Sequence, residues 1–349
     1  MKMLVTTCVA LAVVLSMRLI AQGPTTCESA GSVQFICGQQ GPEDLVVVPG
    51  SQWVVASAMG GSGGINLIRV SSRQSIVAFP SDAEKVRFDS KAYVGCSGPP
   101  DKSAKAKFIT HGLSLQAGKK SVHRLFAVAH GARESIEVFE LDTAPATPVL
   151  TWIGCVVAPD PIGLNSVRWL PDGGFIATDF LARNISAENR TKMLAGEKNG
   201  ALWEWHASTG WLKVPGSEAA GANGIEISED GKTVYVAAWG SQSFFRLSRG
   251  QTPPKRDEVP LGFRVDNIRW AKDGSILASG QGGSTPADQA TIVVKIDPKT
   301  LMVSEMLRRP NSDAFGAGTV AVEIGNDLWV GSFRGDRIAV FPGARALGK

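Results

Sequence analysis

Asn165-Ser-Val-Arg-Trp-Leu-Pro-Asp-Gly173, followed directly by Gly174-Phe-Ile-Ala-Thr-Asp179, is the stretch on which the fold turns. It reads as a polar residue, an alternating strand, a Pro-Asp-Gly turn and a second strand. The same phrase recurs along the chain. Asn223-Gly-Ile-Glu-Ile-Ser-Glu-Asp-Gly231 precedes Lys232-Thr-Val-Tyr-Val-Ala-Ala238, and Asp266-Asn-Ile-Arg-Trp-Ala-Lys-Asp-Gly274 precedes Ser275-Ile-Leu-Ala-Ser279. Looser copies start at Glu43-Asp44, His111-Gly112 and Gly318-Thr319. Most continue into a third strand, as in Ser135-Ile-Glu-Val-Phe-Glu-Leu141, Phe244-Phe-Arg-Leu247 and Arg337-Ile-Ala-Val-Phe341. Six copies about 43–68 residues apart have the period of propeller blades. The expectation is an all-β, six-bladed β-propeller in which each strand has one half-buried face. No helical stretch of useful length separates the strands, which excludes an α/β fold. One short helix is expected within Ala182–Leu194.

Composition agrees. The chain has 349 residues, 44% hydrophobic and 19% charged, with 39 glycines. That is enough apolar content for a large core and too much for a disordered chain, and the glycine excess suits many turns. The net charge of +4 and the lack of a dense basic stripe exclude nucleic-acid binding on electrostatic grounds. Lys102, Lys105, Lys107, Lys119 and Lys120 read as a solvated loop face.

The start of the chain reads as an export signal over residues 1–21. Lys2 precedes an apolar run from Leu4 to Leu15, and Ala21 offers a small-residue cleavage point. Arg18 interrupts the run before it reaches the ~20 residues that a membrane-spanning helix needs, although an uncleaved signal anchor stays open. Residues 22–349 then form a single propeller domain, secreted or periplasmic. Of five cysteines, Cys8 leaves with the signal. Four allow three pairings. Cys27–Cys37 would close a short loop, leaving Cys96–Cys155 as the second bridge, and an exported chain favours disulfides. No Cys-x-x-Cys or Cys/His cluster points to zinc.

In a propeller the first strand of each blade lines the central tunnel, so equivalent residues form a ring. Aligning the copies puts Glu43, His111, Asn165, Asn223, Asp266 and Gly318 in one column. Asp44, Gly112, Ser166, Gly224, Asn267 and Thr319 form the next. Asn and Asp also favour turns, but turn chemistry accounts for one or two such positions, not five of six. The carboxylate and carboxamide oxygens of Glu43, Asp266, Asn165, Asn223 and Asn267 suit a hard cation, calcium above all. His111 and His130 begin and end paired strands of one copy. They would meet at the same rim as a base and its orienting partner. His123 and His206 have no comparable setting and read as structural. Trp239 is expected either at the tunnel mouth or between blades.

These residues carry a family resemblance. Pro-Glu43-Asp44-Leu, Thr-His111-Gly-Leu-Ser, Ala-His130 before Ser-Ile-Glu-Val-Phe, Gly-Leu-Asn165, Ala-Asn223-Gly-Ile and Val-Asp266-Asn267-Ile occur in this order across Pro42–Phe341. In that order the chain resembles the paraoxonase/arylesterase group of calcium propellers, within a wider set of gluconolactonase-like and strictosidine-synthase-like propellers. The resemblance implies that Glu43, Asn165, Asn223, Asp266 and Asn267 hold a catalytic calcium and that His111 and His130 form a catalytic dyad. It implies a second, structural calcium on Asp44. Ser166 stands where the family has an acid, so that ion would rely on carbonyls such as that of Leu113. The family often joins its chain ends by a disulfide, but this chain has no Cys after Cys155, so closure would rest on strand pairing. The implied activity is hydrolysis of a small-molecule lactone or aryl ester. An alternative step uses Asp266 as nucleophile. Two alternative functions are a gluconolactonase-like sugar-lactone hydrolase without a His dyad and a non-enzymatic exported ligand-binding propeller with structural calcium. No Gly-x-Ser-x-Gly elbow supports a serine esterase.

Overall fold

The computed structural model describes residues 27–50, 52–101 and 107–344. The expected signal at 1–21, and Lys102 and Lys105, lie outside the described residues. Twenty-five strands and one helix are found among the described residues. The strands form six blades, antiparallel but for the short edge strand Lys85–Val86 that pairs parallel in one of them, confirming the six-bladed β-propeller.

The innermost strands are Leu45–Val47, Phe108–Gln116, Leu164–Trp169, Ala222–Ile227, Arg264–Trp270 and Gly318–Ile324, here numbered as blades 1 to 6. Each touches the next around the ring, and the sixth touches the first. Hydrophobic clusters fill the blade-to-blade interfaces. One joins blades 1 and 2 through Phe79, Phe108, Phe139 and Trp152, and another joins blades 6 and 1 through Leu45, Val54, Val320 and Trp329. The expectation of one half-buried face per strand fails near the hub. Trp53–Ala58 and Ala222–Ile227 are buried at every position. Each blade is covered on both faces by its neighbours, so its strands need apolar side chains on both.

Closure does rest on strand pairing. The outermost strand of blade 6 is the N-terminal segment Gln34–Cys37, which pairs antiparallel with Arg337–Phe341, Ile36 opposite Ile338. Cys27–Cys37 ties the segment preceding that strand to its end, and Cys96–Cys155 fastens the long blade 1–2 connection to the strand Val149–Val157 of blade 2. Both bridges are those expected. The helix spans Ala187–Leu194, within the expected Ala182–Leu194. Ser186 caps it, its hydroxyl accepting from the Asn189 amide at 3.2 Å.

The inner strands of blades 2 to 6 share one irregularity. Thr110 pairs with Ala129 and Leu113 with Ala127, so His111 and Gly112 together face one residue of the partner strand. The same two-for-one bulge falls at Asn165-Ser166, Asn223-Gly224, Asp266-Asn267 and Thr319-Val320. A β-bulge bends the strand and re-aims its side chains. Four of the five bulges hold the residues aligned as ring columns. In blade 6 the alignment was one residue out. The ring position belongs to Thr319, not Gly318, because Gly318 keeps a regular partner in Ser332.

Candidate functional site

The bulges turn the polar residues into the tunnel. Glu43, His111, Asn165, Asn223 and Asp266 line one cavity of about 400 Å³ at the blade ends. Asn267 lies beneath them, its Nδ2 donating to Glu43 Oε1 at 2.5 Å. All are buried except His111, which is half-buried. Glu43 Oε2, Asn165 Oδ1, Asn223 Oδ1 and Asn267 Oδ1 are buried with no hydrogen-bond partner. Each such acceptor costs about 1–3 kcal/mol, and four in one place is not a packing accident.

The carboxylates point the same way. Burial raises Glu43 well above the usual carboxylate range, and the neighbouring charges of Asp266 and Asp44 add to the rise. Burial pushes Asp266 up to about 7, against the hydrogen bonds of Gln281 and Asn223. Gln281 Nε2 donates to Asp266 Oδ2 at 2.8 Å. Two carboxylates and three carboxamides with oxygens left over fit a hard, oxygen-loving cation of calcium type. Among the described residues, no three His, Cys, Asp or Glu side chains group to hold a metal, so the carboxamide oxygens would have to complete any shell.

The two histidines meet as expected. His111 Nδ1 lies 3.0 Å from His130 Nε2. A third member was not foreseen. Glu134 Oε2 lies 2.8 Å from His130 Nδ1, and its Oε1 accepts from the Leu164 amide at 2.7 Å. For a neutral histidine pair, the hydrogen-bond partners assign the protons. The Glu134 carboxylate accepts from His130 Nδ1–H, His130 Nε2 then accepts from His111 Nδ1–H, and His111 Nε2 keeps its lone pair. That nitrogen lies 3.6 Å from Glu43 Oε1 and 3.3 Å from Asn165 Nδ2. Burial, then the adjacent His130, lowers the His111 pKa to about 3, so the ring is neutral near neutral pH. The signal for Glu134 was its place four residues after His130, in the turn joining two paired strands. His123 and His206 do not line the cavity.

Asp44 is held differently from the expectation. Its Oδ1 accepts from the Leu45 amide at 2.8 Å, and its Oδ2 accepts from the Leu113 amide at 2.6 Å and from Arg269 Nη2. Arg269 Nη2 also donates to the Leu113 carbonyl at 3.1 Å, and Nε to the Leu45 carbonyl at 3.2 Å. Both expected ligands of a second calcium are thus engaged by a buried guanidinium, and a second calcium on Asp44 and Leu113 does not fit. Glu226 lies 3.7 Å from Arg269 and 2.8 Å from Arg168, completing a buried layer of alternating charge beneath the ring. Arg168, Glu226 and Arg269 each stand three residues past a ring position in adjacent blades. The repeated Arg-Trp of Val-Arg168-Trp169 and Ile-Arg269-Trp270 was the available signal.

Trp239 lines the cavity mouth. It packs edge-on against Phe180, and its Nε1 donates to Gln281 Oε1 at 3.1 Å. Among the described residues, no helix is long and apolar enough to cross a membrane.

No protein-family model matches the chain, and no curated protein matches it. Solved structures do. A luciferin-regenerating enzyme is 14% identical with a TM-score of 0.56, over 88% of this chain and 94% of that one. A gluconolactonase from Xanthomonas campestris is 14% identical with a TM-score of 0.52, over 89% of each chain. A virginiamycin B lyase from Staphylococcus aureus is 12% identical with a TM-score of 0.50, over 88% of this chain and 98% of that one. At such identities the likeness establishes the fold alone.

Proposed function

We propose that this protein is an exported, calcium-dependent hydrolase of lactones and aryl esters, with His111 as its base. The observation that carries the reading is the set of four partnerless buried oxygens, on Glu43, Asn165, Asn223 and Asn267, beside a histidine whose unprotonated nitrogen faces them and accepts only a long bond from Asn165 Nδ2. Glu43, Asn165, Asn223, Asp266 and Asn267 would hold the ion, which when bound supplies a Lewis acid for the carbonyl oxygen.

The chain's own residues do the proton work. His111 Nε2 accepts a proton from the attacking water while its Nδ1–H passes to His130 Nε2. A base with a pKa of about 3 holds a proton poorly by itself. The relay answers this, because the charge comes to rest on His130 against the Glu134 carboxylate. Asp266 is the weaker candidate for the attacking group. It is itself one of the residues that would hold the ion, and Gln281 occupies one of its oxygens. The sugar-lactone reading accords with the gluconolactonase among the fold relatives. It leaves the His111–His130–Glu134 chain without a task, as does a purely binding propeller. The two disulfides support an exported destination.

The test is hydrolysis of a simple lactone and of phenyl acetate by calcium-loaded protein. Excess chelator should abolish turnover, and calcium should restore it. His111→Gln should lose roughly 10²–10⁴-fold in kcat with calcium still bound by calorimetry. Glu134→Gln should lose about 10–100-fold with KM unchanged. Undiminished turnover in His111→Gln would remove that residue from the mechanism.

A further inference from the structure

The cavity above the oxygen set is basic at its mouth. Arg190 comes from the helix Ala187–Leu194 inserted in blade 3, Arg264 from the start of the inner strand of blade 5, and Arg334 from the turn after Ser332 in blade 6. The ion pairs among the described residues engage arginines elsewhere, Arg133, Arg168, Arg249, Arg256 and Arg269 among them, and leave these three out.

Two of the three are braced. The Arg264 guanidinium lies 4.4 Å over the Trp239 ring, and Arg334 lies 4.9 Å over Phe333. A guanidinium stacked on a ring uses its flat face and keeps most of its N–H edge for a planar, two-pronged acceptor; among the described residues, only Nη1 of Arg264 is engaged, by a long 3.5 Å bond to the Trp239 carbonyl. Arg264 is also tied to the floor. Trp239 donates to Gln281, and Gln281 donates to Asp266. Arg264 lies two residues before Asp266 on the same strand. Charge arithmetic completes the case. One divalent cation balances Glu43 and Asp266, so the loaded cavity is lined by three cations without counter-charge. Such a concave field concentrates anions.

We propose that the substrate is an acidic lactone or ester, carrying a carboxylate away from its scissile carbonyl, and that Arg264 with Arg190 and Arg334 binds that carboxylate. The proposal rests on the hydrolase reading for its scissile carbonyl. It adds the substrate's charge and the end that enters last. The carbonyl goes down to the oxygen set and His111, and the carboxylate stays at the mouth, where a bidentate guanidinium contact orients it.

The experiment reads binding separately from turnover. Calcium-loaded full-length protein is titrated calorimetrically with 3-oxocyclopentane-1-carboxylate and with cyclopentanone, a matched pair that cannot be hydrolysed. The carboxylate should bind about tenfold tighter or more, and raising salt from about 50 to about 500 mM should weaken it selectively. Arg264→Gln should bring the ratio of the two affinities toward one, and Arg264→Lys should retain part of it. Arg334→Gln, on another blade, should act in the same direction. Calcium titration of each variant confirms that the floor is intact. Equal affinity for the two probes, or no binding of the carboxylate, overturns the proposal. In parallel, γ-butyrolactone and its γ-carboxylate are offered as substrates. Binding of the acid probe with neither lactone hydrolysed keeps the anion site and removes the hydrolase reading. Hydrolysis of the neutral lactone with no preference for the acid does the reverse.

Discussion

Asp266 shows what a single buried group demands of its surroundings. Its pKa stands near 7 when no cation is bound, against 3.8 ordinarily. Between pH ~4 and ~7 the folded chain therefore holds a proton that the unfolded chain has lost. Stability falls as pH rises through that window and levels off above it, by roughly 4 kcal/mol at the limit. Glu43 shifts in the same direction. The proposed calcium would need the ionised form, so it would displace the proton and reverse the trend. The expected outcome is a chelated protein whose Tm drops from pH 5 to pH 8, a calcium-loaded one whose Tm does not, and an Asp266→Asn variant with a flatter chelated profile. A flat profile in the chelated wild type would contradict this. At this scale the sequence was legible where residue type alone carried the message. Four oxygen-bearing side chains in one repeat column and a fifth in the next, and two histidines at the ends of paired strands, stand out against an apolar background. Glu134 hid in a turn, where an acid is ordinary. Arg269 hid in an alternating strand, where a cation reads as the solvent-facing half of the pattern, although in the fold that face meets a buried carboxylate.

The element that makes the site is the bulged inner strand. In regular pleating, residues on consecutive positions face opposite ways. The extra residue lets Asp266 line the cavity while Asn267 supports Glu43 from below. Close packing of neighbouring inner strands sets a second requirement. A Cβ on Gly112 would fall 2.5 Å from Ser166 Cα and 2.6 Å from the Asn165 carbonyl, and one on Gly224 would fall 2.5 Å from the Asp266 carbonyl. Gly112→Ala must push blade 3 away from blade 2. It should cost about 1–3 kcal/mol, read as a lower Tm, and weaken calcium binding because Asn165 is the residue displaced. An unchanged Tm would mean that the strands are looser than their spacing implies. Strands and turns were legible from alternation and Asp-Gly pairs. The bulges were not, because they are a matter of register between two strands. Hence the alignment slipped in blade 6, where Gly318-Thr319-Val320 offers no acid or amide to anchor it.

At the scale of the molecule, six copies of one unit predict a wheel, and the wheel is there. What the copies do not reveal is how it shuts. Gln34–Cys37 is a four-residue strand whose partner lies about 300 residues away, and no local pattern marks such a pairing. Nor does a repeat disclose which of two cations a buried acid will meet. Asp44 meets an arginine, and that choice bears on how the molecule would behave without the proposed calcium. An ion held by side chains dissociates; a guanidinium on a strand cannot be stripped by a chelator. The lower tier of the axle stays neutralised while the upper tier is drained. On the proposed calcium-dependent reading, scarcity of the metal would silence the protein without dismantling it, and replenishment would revive it with no need to fold again.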